Sequence, residues 1–138
     1  MNNKQIIERS HYIPQNFMAV MKVLIIDDDA FCLQMLDRGI KNLGYQSFVY
    51  RMWKSQTIQD IIEINPDLIL LDEYLDGVRG SDICTILKSI NQLRTTPVIL
   101  VSGVEGAADI AKKSLADGFI EKPFLMAGLR DTLTNFRN

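Results

Sequence analysis

The chain has 138 residues, enough for one domain with one core, and its 47% hydrophobic and 23% charged residues exclude a disordered chain. A formal net charge of -2 and a pI near 5.3 give no drive toward nucleic acid or an anionic membrane, and no apolar run reaches membrane-spanning length. Without a contiguous apolar stretch near the N-terminus to serve as a signal peptide, a cytoplasmic protein with protein or small-ligand partners is expected.

Residues 1–20 read as an N-terminal extension and residues 21–138 as the domain. Pro14 interrupts the mildly apolar stretch from Tyr12 to Met21. Two readings stay open: a frayed or loosely docked leader, or an added helix or subunit contact using Tyr12, Ile13, Phe17 and Met18. His11 has no companion histidine and reads as a solvent residue.

Val23-Leu24-Ile25-Ile26 is a buried-strand signal that ends in acid, Asp27-Asp28-Asp29. Asp29 suits the cap of a helix from Ala30 to Leu43, which Gly44 stops. Tyr45 to Tyr50 alternates weakly, as a short strand does. A helix from Ser55 to Asn65 ends at Pro66.

Leu68-Ile69-Leu70-Leu71 is the strongest strand signal, an apolar run of the kind covered on both faces, and it stops at Asp72. A polar, glycine-bearing loop follows, from Glu73 to Gly80. The next helix is expected from Gly80 or Ser81 to Leu93. Pro97 opens the strand Val98 to Val101, with Ser102-Gly103 at its end. A thin apolar stripe supports a helix from Glu105 to Leu115. Gly118 to Ile120 is a short strand leading into Glu121-Lys122-Pro123-Phe124, and the last helix spans Leu125 to Phe136. Strand and helix alternate five times, so the natural solution is a (βα)5 chain with a parallel sheet covered on both faces.

Parallel strands put Asp27, Asp28, Asp72, Ser102 and Lys122 on one sheet edge, where ligand sites of open α/β sheets lie. Converging carboxylates repel and need a cation, and an all-oxygen donor set suits Mg²⁺. With a lysine and a hydroxyl beside them, the group suits phosphoryl oxygens, and no glycine-rich nucleotide loop is present. The Asp72 carboxylate can itself serve as nucleophile, giving an aspartyl phosphate. Cys32 and Cys84 lack metal spacing and read as buried free thiols of a reducing compartment.

From residue 22 to about residue 136 the chain resembles the receiver domain of two-component response regulators. The matching pieces are Val23 to Asp28, Leu68 to Asp72, Gly80, Val98 to Gly103 and Lys122-Pro123-Phe124. The resemblance implies a flavodoxin-like, doubly wound five-stranded parallel sheet of strand order 2-1-3-4-5. It implies Asp72 as phosphoacceptor, with Mg²⁺ held by Asp27, Asp28, Asp72 and the backbone carbonyl of Tyr74. Ser102 matches the switch hydroxyl and Phe119 the aromatic that moves with it. Lys122 matches the lysine that pairs with the acceptor, ahead of a cis peptide at Pro123. Gly103 sits where a small residue leaves the phosphoryl group open to attack.

The partners so implied are a sensor histidine kinase or histidine phosphotransfer protein, a downstream protein target, and a possible second copy of the chain. Phosphorylation and hydrolysis would be self-catalysed, in a stand-alone receiver without direct nucleic-acid binding or membrane insertion.

The chain also departs from the family pattern. Asp76 stands where members usually carry proline, and Glu73 and Tyr74 are expected to flank access to the acceptor. The segment from Ser102 to Lys122 looks short, and Leu115 stands where glycine is common. The alternative is a receiver-like protein-binding module that works without phosphorylation. A flavin binder or Mg²⁺-dependent phosphatase needs a flavin loop or a substrate cap, and neither is legible.

Overall fold

The computed structural model describes residues 20–103 and 105–136. The expectations for the extension, including His11 and the apolar residues from Tyr12 to Met18, lie outside the described residues.

Five parallel strands form the sheet: β1 (Lys22–Ile26), β2 (Gln46–Tyr50), β3 (Leu68–Asp72), β6 (Val98–Ser102) and β7 (Gly118–Glu121). Their order is β2-β1-β3-β6-β7, the expected 2-1-3-4-5 arrangement once the five parallel strands are counted along the chain. Asp72 thus ends the central strand.

The helices are α1 (Ala30–Asn42), α2 (Ser55–Ile64), α3 (Gly80–Ser89), α4 (Ala107–Lys113) and α5 (Met126–Asn135). Alternation along each strand feeds two cores. Val23, Ile25, Leu68, Leu70, Ile99 and Val101 pack with Leu36 and Ile40 of α1 and Leu129 and Leu133 of α5. Leu24, Ile26, Ile69, Leu71, Val98 and Leu100 pack on the other face with residues of α2, α3 and α4, among them Ile61, Ile83, Leu87 and Ala111. Both faces are covered, which is why the strands read as continuous apolar runs. Each fully buried Leu or Ile of β3 contributes roughly 1.5–3 kcal/mol relative to an exposed one.

Local chemistry sets most boundaries. Asp29 caps α1, its Oδ1 accepting from the N–H groups of Phe31 (2.9 Å) and Cys32 (3.0 Å). Asn65 closes α2 in the left-handed region, at φ 52°, directly before Pro66. Two helices are shorter than expected. The apolar stripe after Gly80 runs on to Leu93, but α3 stops at Ser89 because Ile90 is extended, and Leu93 is buried from a turn. Helix α4 loses a turn's worth of its expected range to Gly106 (φ 82°) on one side and Leu115 (φ 63°) on the other.

The loop after Asp72 is more ordered than its composition suggests. Tyr74–Leu75 (β4) and Val78–Arg79 (β5) pair antiparallel around Asp76-Gly77, with Gly77 at φ 75°. An Asp-Gly pair between apolar residues is a hairpin signal. It was legible in the sequence, although the surrounding polar composition pointed to a plain loop.

Candidate functional site: a carboxylate cluster at the strand ends

The register brings the expected residues to one edge. Asp27 follows β1, and its N–H donates to the Tyr50 carbonyl (3.0 Å). Asp72 ends β3 opposite Val101, Ser102 ends β6, and the Lys122 N–H donates to the Ser102 carbonyl (2.8 Å). Carboxylate oxygens of Asp27, Asp28 and Asp72 lie within 4.8 Å of one another. Asp27 and Asp72 are buried and Asp28 is half-buried.

The ammonium of Lys122 reaches across this group. Its Nζ donates to Asp27 Oδ2 at 3.1 Å and to Asp72 Oδ1 at 3.4 Å. Asp27 Oδ1 is taken by the Asp29 N–H at 2.9 Å, so the Asp27 carboxylate is held at both oxygens. Burial, and then the neighbouring Asp27 charge, push the Asp72 carboxyl up to about 6 against the opposing pull of Lys122. For Lys122, burial alone would lower the ammonium, but Asp27 and Asp72 together raise it above its ordinary value. Cys32 of α1 also meets this cluster. Cys32 is a free thiol but only half-buried, where a buried one was expected; burial, followed by a hydrogen bond to Asp27, pushes its thiol up to about 12 and keeps it neutral.

Three carboxylates stand beside one ammonium, which pairs with Asp27 and Asp72. That excess of buried negative charge, offered entirely through oxygen, fits a hard divalent cation such as Mg²⁺.

The remaining candidates divide. Ser102 is buried at the end of β6. Gly103 faces Lys122, and a Cβ there would lie 3.6 Å from the lysine Cβ. The Lys122-Pro123 peptide is cis, as the resemblance implies. Phe119 lies on β7 opposite Leu100, with 43% of its surface exposed. Tyr74, in β4, exposes its side chain two residues after Asp72.

Glu73 corrects an expectation. Rather than flanking access, it is 1% exposed, and its carboxylate accepts from the Ser81 N–H (3.1 Å) and Oγ (2.7 Å) at the start of α3. Glu73 lies in the bend just past β3, and the two hydrogen bonds from Ser81 satisfy its carboxylate in that buried position.

Two features escaped the sequence reading. At Gly80 a Cβ would collide with the Asp72 carbonyl oxygen, so the start of α3 rests directly on the Asp72 backbone. Only the bare presence of a glycine at a loop-to-helix junction hinted at this. The second is a cavity of about 550 Å³ lined by Asp28, Arg51, Met52, Trp53, Leu75 and Asp76. Trp53 is half-buried in its wall and packed against the core on the α2 side.

Residues 23–134 match the family model described as the response regulator receiver domain, and the chain belongs to that family. Among curated relatives, the DNA-binding response regulator MtrA of Mycolicibacterium paratuberculosis is 30% identical over 105 residues. The alignment takes in 75% of this chain and 45% of MtrA, so the chain spans about half the length of that relative. Chemotaxis protein CheY4 of Vibrio cholerae superposes with a TM-score of 0.78 at 22% identity, covering 86% of this chain and 99% of CheY4. The receiver domain of sensor histidine kinase PA1611 from Pseudomonas aeruginosa PAO1 superposes with a TM-score of 0.76 at 19% identity, covering 86% and 98%. That structure holds a magnesium ion coordinated in its active site cleft.

Proposed function

We propose that this receiver accepts a phosphoryl group on Asp72 from a phosphohistidine of a sensor histidine kinase or histidine phosphotransfer protein, and that a downstream protein reads the change. The observation that carries this reading is the convergence of the Asp27, Asp28 and Asp72 carboxylates at the end of the central strand, two of them paired to Lys122. Receiver-family membership supports the same donor class. No described helix is long and apolar enough to cross a membrane, which is compatible with a cytoplasmic site of action.

In this reading Mg²⁺ is held by Asp27, Asp28, Asp72 and the Tyr74 carbonyl. When bound, the ion offsets carboxylate charge and offers phosphoryl oxygens a hard Lewis acid. Asp72 is the nucleophile, and Lys122, already 3.4 Å from Asp72 Oδ1, balances the growing negative charge. A carboxylate carrying one negative charge becomes a phosphoryl group carrying nearly two. Ser102 supplies the hydroxyl that contacts it. Pulling the ends of β6 and β7 inward then biases the surface around Phe119, α4 and α5.

The test is intact-protein mass after incubation with a phosphohistidine protein or a small phosphodonor, with Mg²⁺, with excess EDTA, and with Asp72→Ala. A labile gain of one phosphoryl group that needs both Mg²⁺ and Asp72 is expected. If well-folded protein gains nothing from either donor, a docking module independent of phosphorylation replaces this reading.

A further inference from the structure

The cavity beside the cluster shares Asp28 with it and carries an assortment of groups that the acceptor chemistry leaves unused. Trp53 and buried Leu75 give it an apolar wall fixed in the core, and Met52, 60% exposed, adds a soft apolar rim. Arg51 is its one cation, and among the described residues Arg51 makes no ion pair. Asp76 lines the same space and opposes it in charge.

We infer that this cavity seats the departing group of a small acyl phosphate, with Arg51 as the residue that selects a carboxylate leaving group. The inference rests on the reading of Asp72 as phosphoacceptor. In the transfer, an Asp72 carboxylate oxygen forms a bond to phosphorus, and the bond from phosphorus to the acyl oxygen breaks. The electron pair leaves with the acyl oxygen, so the products are aspartyl phosphate and a free carboxylate, with no proton required.

Negative charge grows on that departing carboxylate in the transition state. A planar guanidinium meets a carboxylate through two parallel hydrogen bonds. The indole of Trp53 and the Met52 thioether suit a short acyl chain, since small-molecule sites join an apolar wall to a few polar groups. A phosphohistidine donor leaves as a neutral imidazole and phosphoramidate as ammonia, neither of which offers Arg51 a carboxylate. The residue therefore distinguishes among donors instead of assisting all of them.

The experiment uses the full chain with Mg²⁺ and follows phosphoryl mass gain at Asp72 under limiting acetyl phosphate or limiting phosphoramidate. Wild type is compared with Arg51→Gln, Arg51→Lys and Asp76→Asn, each checked for an unchanged circular dichroism melt. Arg51→Gln should slow the acetyl phosphate reaction roughly fivefold relative to the phosphoramidate reaction, in line with loss of one partly exposed charge-assisted contact. Arg51→Lys should recover part of that loss, and Asp76→Asn should speed the acetyl phosphate reaction. Equal slowing with both donors, or no slowing with either, overturns the inference and leaves the acceptor reading intact. A wild-type chain modified by neither small donor and by no phosphohistidine protein overturns the acceptor reading and the inference together.

Discussion

Lys122 Nζ lies 3.1 Å from Asp27 Oδ2 and 3.4 Å from Asp72 Oδ1, so one ammonium bridges the ends of the first and third strands. Asp28, the third carboxylate, has no ion-pair partner among the described residues. The two substitutions that probe this imbalance should act in opposite directions. Lys122→Met leaves buried Asp27 uncompensated and should cost about 2–4 kcal/mol of metal-free stability. Asp28→Asn relieves repulsion and should raise metal-free stability by about 0.5–1 kcal/mol while weakening Mg²⁺ binding. Urea unfolding in EDTA measures both, and a loss of stability in Asp28→Asn would contradict the charge-repulsion account.

The pH response follows from the same crowding. Burial first, and Asp27 second, raise the folded Asp72 carboxyl to about 6, above its ordinary value of 3.8. The folded state therefore binds this proton more tightly than the unfolded chain does. The resulting stability is fully present below the unfolded value and is lost as pH rises through about 6. In EDTA, wild type should be less stable than Asp72→Asn near neutral pH, and the gap should close as the buffer is taken down toward about pH 4. A gap that stays constant over that range would mean that Asp72 titrates in the folded protein as it does in the unfolded chain.

The strand ends were legible because an apolar run that stops at a carboxylate is an unusual pattern. Val23 to Asp27 and Leu68 to Asp72 both carry it, and parallel pairing then leaves only one edge for the acids to share. Glu73 was not legible in the same way, because composition marks it as polar, whereas in the fold its buried carboxylate is held by Ser81, eight residues on. Leu93 shows the opposite failure: its place in an apolar stripe correctly implied burial, but a turn after Ile90 delivers it in place of a longer helix. The cavity around Trp53 could not be read at all, since it is assembled from three segments that only the fold brings together.

Gly80 offers a test of how closely the end of β3 is braced. A Cβ at this position would strike the Asp72 carbonyl oxygen and crowd the Glu73 Cα, both of them backbone and unable to rotate away. Gly80→Ala should cost about 1–3 kcal/mol and slow phosphoryl transfer, since Asp72 must shift with its backbone. Gly128, within α5, has open space around it, and Gly128→Ala should raise stability by about 0.5–1 kcal/mol. Chemical denaturation of the pair separates close approach from ordinary helix propensity. Equal behaviour of the two variants would remove the bracing role from Gly80.

Trp53 is the sole tryptophan of the chain and shares its cavity with Asp28. Its emission should therefore change when Mg²⁺ is added, with a saturating dependence on the ion and reversal by EDTA. Asp28→Asn should shift that titration to higher Mg²⁺, while a substitution on the far side of the sheet, such as Lys41→Ala on α1, should leave it in place. A wild-type signal indifferent to Mg²⁺, in protein shown by calorimetry to bind the ion, would detach the cavity from the carboxylate cluster.

Leu115 closes the short helix α4 at φ 63°, a conformation in which its Cβ crowds the backbone, and it leaves 63% of its surface exposed. The exposure means that little burial is lost on truncation, so backbone strain decides the outcome. Leu115→Gly should raise stability by about 0.5–1 kcal/mol, because glycine adopts the left-handed region without the Cβ penalty. Leu115→Ala should bring no such gain, since alanine keeps the Cβ that causes the strain. The comparison isolates the cause: a benefit shared by glycine and alanine would point to removal of an exposed apolar side chain, whereas a benefit confined to glycine assigns it to the left-handed turn that follows α4.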